Sequence, residues 1–291
     1  MNKIPYLLTL LFLSVLMGGT VALGSPTNDS ADQYLLGSAY LKGNGVTQSY
    51  EQAGFWYRKA ADQGNLKAMH NLALLYLEGK GTPKNEQEGY RLILKAAELG
   101  DPKSAALLGI LLCNGTGIAA DPTTGKVWLE KGVKAGNPES MLALGQMDLK
   151  ERDPSVKQSG RDLILRAADL GNTNACLQAG RMISLGYDGV PGDKKRAEEY
   201  YRKGAEAGDP WCRFEYAKAL MTRSPLQAYP WAKLAVKDHV AAAIGIQQEC
   251  IGFLKPEDLA AGDQKADEIA AGQSARDIPS PSPIPPTTGN K

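Results

Sequence analysis

The sequence predicts an all-α fold, a stack of helix–turn–helix repeats, from the spacing of its glycines and from its composition. Gly43 and Gly45 return as Gly79 and Gly81 and again as Gly115 and Gly117, a step of 36 residues. A second series, Gly64, Gly100 and Gly136, keeps that step, which becomes 35 at Gly171 and 37 at Gly208. Phe and Trp number only four each beside abundant Ala, Leu and Gly, a balance suited to closely packed helices rather than to a sheet. With 43% hydrophobic and 22% charged residues the 291-residue chain can bury a substantial core. Five clear copies and a degenerate sixth fill residues 25–240.

Residues 1–24 read as an export signal. Lys3 supplies a positive start, residues 7–17 an apolar run, and Ala22 and Gly24 the small residues before a cut near Gly24/Ser25. The run is short for a stop-transfer anchor, and no Cys follows the cut to carry a lipid. A retained anchor is the alternative. The expected mature chain is a monomer, periplasmic or secreted, with no stable membrane insertion. Lys3 is the only charge removed, so the 33 cationic residues become 32 against 32 Asp and Glu. That neutral balance argues against nucleic acid as a partner.

Each repeat carries two helical patterns. The first centres on an apolar residue followed by a small one: Leu36-Gly37, Leu72-Ala73, Leu108-Gly109, Leu144-Gly145 and Ala179-Gly180. The small residue admits a neighbouring helix at close range, and Tyr40, Tyr76 or Leu112 fills the adjoining gap. The paired glycines then end this helix, because glycine takes the left-handed conformation that a C-cap requires. Past them stand Ser49, Asn85, Asp121, Asp193 and Ser224, all good N-caps for the second helix. That helix carries sets such as Ala53, Trp56, Tyr57, Ala60 and Ala61. Trp128 recurs in register with Trp56, so both are expected in the core.

Leu36-Gly37-Ser38-Ala39-Tyr40, Gly43-Asn44-Gly45-Val46, Ala53, Trp56-Tyr57-Arg58-Lys59-Ala60-Ala61 and Gly64-Asn65 together resemble the Sel-one-like repeat (SLR), a relative of the tetratricopeptide repeat (TPR). The resemblance covers roughly residues 32–240. It implies a right-handed α-solenoid of SLR/TPR-like units whose first helices line a concave face. The fourth copy departs from the pattern, with Lys150-Glu151-Arg152-Asp153-Pro154 in place of the double glycine, and the sixth has a shortened turn at 222–225 and no closing glycine near His239. Residues 241–272 are expected to form capping helices, and 273–291, rich in Pro and Ser, a disordered tail.

Chemistry is absent from the motifs. Only His70 and His239 are present, and no metal-binding, nucleophile-elbow or dinucleotide fingerprint occurs, so no catalytic residue, cofactor or metal is assigned. Glu198 and Glu199 are adjacent on one helix and therefore diverge, as on a solvated face. Cys113, Cys176, Cys212 and Cys250 are too widely spaced for a metal site and read as small buried hydrophobes, although an exported chain can form disulfides. Cys176 and Cys212 are the pair best placed to do so.

Function then falls to the groove implied by the resemblance. Positions three before, one after and four after each small residue form a stripe: Tyr34, Ser38 and Leu41 in the first copy, His70, Leu74 and Leu77 in the second, with Arg181 and Lys218 supplying cations, uncompensated on that stripe, in the fifth and sixth. Its leucines serve equally as packing between helices. Tyr34, His70, Leu74, Gln146, Arg181 and Lys218 are the candidate contacts for a protein or peptide partner with an apolar side chain and an acidic end. The expected activity is that of a non-enzymatic interaction scaffold. Two other readings stay open: a cell-wall hydrolase or binding accessory acting on peptidoglycan or a β-lactam, weakened by the lack of within-repeat cysteine pairs, and a dedicated regulator of one envelope protein.

Overall fold

A computed structural model describes residues 28–186 and 192–272. The expected export signal and the Pro/Ser-rich tail lie outside the described residues. Fourteen α-helices are present and no strand occurs among the described residues. The chain divides into two compact units, residues 1–144 and 145–291.

The first unit holds α1 (Ser30–Lys42), α2 (Tyr50–Asp62), α3 (Leu66–Glu78), α4 (Glu86–Glu98), α5 (Pro102–Asn114) and α6 (Pro122–Lys134), and α7 (Pro138–Asp148) begins in it. Each hairpin packs on itself and on the next. The sequence dictates where each helix stops and starts. Gly43 closes α1 in the left-handed conformation, φ 71°, with its N–H donating to the Ala39 carbonyl. The Ser49, Asn85 and Asp121 side chains accept from Gln52, Glu88 and Thr124 backbone N–H groups, as expected of N-caps. A second cap series opens the A helices and follows the closing glycines directly: Asn65, Asp101 and Asn137.

The small residues set the packing distance between helices. A Cβ on Gly37 would lie 2.6 Å from the Tyr57 ring, and one on Gly109 2.7 Å from Leu129 Cγ. Glycine on the A helix therefore faces a large residue on the B helix of its own hairpin. Tyr57, Met69, Ile93 and Leu108 are essentially inaccessible in the resulting core.

The second unit contains α8 (Pro154–Asp169), α9 (Thr173–Leu185), α10 (Lys194–Glu206), α11 (Pro210–Met221), α12 (Pro225–Lys237), α13 (Ala243–Phe253) and α14 (Pro256–Ala270). The contact of a seam glycine with an aromatic ring recurs, with Gly180 against Tyr201. In place of the double glycine, Asp153 caps α8, and its turn is fully exposed. His239 stands where earlier copies close with glycine and itself takes a positive φ of 65°, a conformation uncommon outside glycine. Helices α13 and α14 both pack on α12. No helix among the described residues is long and apolar enough to cross a membrane.

One expectation about the core is corrected. Trp56 and Trp128 are half-buried, and it is Tyr57 and Leu129, one residue on, that point inward. Lys59 lies 5.2 Å from the Trp56 ring centroid and Lys131 3.7 Å from that of Trp128, so both indoles sit at the boundary with cations over them. Recurrence with the repeat marks a structural position, but it does not separate core from rim.

Candidate functional site

In the first unit the A-helix stripe opens into a cavity of ≈ 680 Å³. Tyr34 comes from α1, His70, Asn71 and Leu74 from α3, Lys103 from α5, and Pro138 from the start of α7. Tyr34, His70 and Leu74, singled out from the sequence, line the same space. Tyr34 is held by its ring against Tyr57 at 5.8 Å between centroids, and Tyr57 Oη lies 3.2 Å from Ser38 Oγ. Lys67 and Lys103, which sequence reasoning missed, also line it, 36 residues apart at the same repeat position near the A-helix starts. Their register was legible in the repeat alignment.

His70 sits on the wall with its Nδ1 3.1 Å from Ser104 Oγ. Burial pushes its pKa below the ordinary 6.5, against an opposing pull from Asp101, a further lowering by Lys103 and a smaller raising by Glu139. Ser104 has no accessible surface, and its backbone N–H donates to Asp101 Oδ2 at 2.7 Å. Serine, histidine and aspartate are thus close together, but the hydroxyl cannot reach a substrate and the carboxylate is occupied as a helix cap. No group of three or more His, Cys, Asp or Glu able to hold a metal occurs among the described residues.

The other three candidates lie in the second unit and are engaged with neighbours. Gln146 Nε2 donates to Gln178 Oε1 at 2.9 Å. Arg181 Nε and Nη2 donate to Glu215 Oε1 at 3.0 and 2.9 Å. Lys218 lies 4.0 Å from Glu215 Oε2. The expectation of two uncompensated cations is therefore corrected: Glu215 on α11 sits between them, three residues before Lys218. It stands outside the stripe as read from the sequence, on a row two residues before the small position.

Trp211, also missed, is 47% exposed and packs edge-to-face on Phe214 at 6.0 Å, with the Arg181 guanidinium 5.9 Å from its ring centroid. The four cysteines carry thiols. Cys176 and Cys212 flank Gly204, where the Cys212 side chain occupies the place a Cβ would need. Burial raises both pKa values and pushes that of Cys250 up to about 11.

The regular hairpins, seam glycines and cap series have a counterpart among known families. The sequence profile of the Sel1 repeat matches residues 30–65, 66–101, 102–137 and 173–209. The chain is built of Sel1 repeats. The profile passes over two copies, the one between 137 and 173 with the polar turn and the degenerate sixth after 209. Among solved structures, a Sel1 repeat protein from Oxalobacter formigenes is similar at 26% identity and a TM-score of 0.60, over 73% of this chain and 88% of that one. An immunity protein from Pseudomonas aeruginosa matches at 23% identity and a TM-score of 0.54, over 78% and 84%, a likeness of fold. No curated protein matches the chain significantly. Sel1 repeat proteins generally mediate protein–protein interaction, and they are typically scaffolds rather than enzymes.

Proposed function

We propose that this Sel1 repeat protein is an exported, non-enzymatic scaffold that holds a peptide segment of a protein partner in the cavity of its first unit. The supporting observation is the cavity's wall chemistry. Tyr34 and Leu74 offer apolar surface for one side chain, while Lys67 and Lys103 offer two cations to an acidic neighbour. His70, Asn71, Asn137 and the Asp101 carboxylate share the wall with them, and polar groups placed in a concavity give orientation as well as affinity. In this reading the mature chain begins near Ser25 and acts in the periplasm or outside the cell. N-terminal sequencing of the envelope fraction tests that part, and an intact Met1 there would exclude it.

The binding claim is tested with a photo-crosslinking amino acid placed at Leu74 and, as a control, at exposed Glu130 of α6. The peptide crosslinked from Leu74 is then synthesised and titrated. We expect Leu74→Asp to weaken it about tenfold or more, close to 1.4 kcal/mol, at an unchanged fold. Equal crosslinking from both positions, or equal affinity for parent and variant, would remove the cavity from the mechanism. Site-mutable turnover of a muropeptide or a β-lactam reporter would replace the scaffold reading with the enzymatic one.

A further inference from the structure

The side-chain pairs of the second unit follow a register. Each residue one position after the small seam residue reaches the residue two positions before the small residue of the next A helix. Gln146, after Gly145, meets Gln178, before Gly180, and Arg181, after Gly180, meets Glu215, before Ala217. Lys218, after Ala217, is the next rung. Its recorded ion partner is Glu215 of its own helix, at 4.0 Å, and its side chain stays 66% exposed. Glu215 is already bound through Oε1 by Arg181, so one carboxylate serves two cations.

Lys218 does not stand alone on this face. Trp211 precedes it by seven residues and so lies on the same side of α11, about 10 Å along the axis. One indole face carries Arg181, and nearly half of the side chain is open to solvent. Phe214, between them, has Lys218 Nζ 6.0 Å from its centroid. The stripe therefore carries the exposed Trp211 indole, the half-buried Phe214 ring and, at its end, a cation that shares its one carboxylate with Arg181.

We propose that this stripe on α11 is a second peptide-docking site, which takes an acidic side chain of a partner segment onto Lys218 and an apolar side chain onto Trp211. The acidic group completes the rung that the repeat leaves open. A peptide in the polyproline II conformation rises about 3.1 Å per residue with about three residues per turn, so side chains three positions apart lie on one side about 9 Å apart. Charge complementarity chooses this occupant: the stripe holds two cations to one carboxylate, and a basic segment would meet Arg181 and Lys218 unfavourably. The inference rests on the scaffold reading but uses no residue of the first-unit cavity.

The test uses the full mature chain, ¹⁵N-labelled, and two blocked peptides in a Ser/Gly background. One carries Glu and Phe three positions apart, and the other carries Gln in place of Glu. The Trp211 indole cross-peak, assigned from Trp211→Phe, reports binding. The Glu peptide is expected to shift it saturably, with the Gln peptide about tenfold weaker. Lys218→Glu should abolish the shift and Lys218→Arg should keep it; Lys218 is exposed, so neither change threatens the fold. Equal shifts from both peptides, no shift at all, or parent-like binding by Lys218→Glu each overturn the proposal. Loss of the shift in Leu74→Asp with Lys218→Glu unaffected would assign the peptide to the first-unit cavity, leaving the scaffold reading intact and this one refuted.

Discussion

The two units use the same repeat position in opposite ways. In the first, the residues after the seam are Ser38, Leu74 and Ile110, and those two before it are Asn71 and Leu107. Leu74 and Asn71 both line the cavity, and the side-chain bond between α3 and α5 falls instead to His70 and Ser104. In the second, Gln146, Arg181 and Lys218 alternate with Gln178 and Glu215, and the A helices are tied across their faces by side-chain hydrogen bonds. Where the row carries Leu74 a site stays open, and where it carries complementary polar pairs the rung is closed. Binding capacity in such a fold is thus decided by pairs of positions about 32 to 34 residues apart, not by single residues.

The core should not share this asymmetry. Tyr57→Ala in the first unit and Tyr201→Ala in the second remove equivalent rings packed on seam glycines, and each is expected to cost about 3 to 5 kcal/mol, read from urea midpoints. Trp56→Ala, at the half-buried rim, should cost distinctly less, and Lys84→Ala less than about 0.5 kcal/mol. Comparable midpoints for Tyr57→Ala and Trp56→Ala would mean that the inward-facing residue is misplaced.

The second unit's ladder predicts a smaller effect. A double-mutant cycle on Arg181 and Glu215 should give a coupling of about 0.5 to 1 kcal/mol, because the arginine is half exposed, and one on Lys218 and Glu215 close to zero. Equal couplings would erase the distinction between a filled and an open rung.

In the first unit, His70 makes the comparison pH-dependent. Its pKa is lowered on folding, chiefly by burial, so the unfolded chain binds the proton more readily. Stability should then fall as pH drops through the unfolded value of 6.5, levelling off once the lower folded pKa is passed. Melting temperatures of parent and His70→Asn between pH 7.5 and 5.5 should converge in slope only if His70 is inert. The smallest signal is chemical: Cys113, partly exposed in the first unit, should react with a thiol reagent before the three buried cysteines of the second.

The sequence made much of this legible. Glycine spacing and Asx/Ser positions encode backbone conformation locally, so the hairpins and the caps at Ser49, Asn85, Asp121, Asp193 and Ser224 could be read without any tertiary information. What could not be read was the rotation of each helix to within one residue, which separates Trp56 from Tyr57, and the diagonal contact that places Glu215 against Arg181. Both depend on the crossing of neighbouring helices, a quantity fixed by packing rather than by any one segment. Trp211 escaped for a related reason: it lies one turn before the stripe and joins it only along the length of α11.

The two kinds of helix cap carry a consequence for acid. Asp121 and Asp153 are held below the usual carboxylate range by hydrogen bonds from the helix starts they cap, at Thr124 and Ser155, so their contribution is present at neutral pH and disappears as pH falls through those lowered values. Asn65, Asn85 and Asn172 accept equivalent backbone bonds and have no charge to lose. Acidification should therefore fray this chain unevenly, loosening the starts of α6 and α8 while those of α3, α4 and α9 on either side stay wound, a soft middle between firm ends that amide exchange would resolve along the backbone.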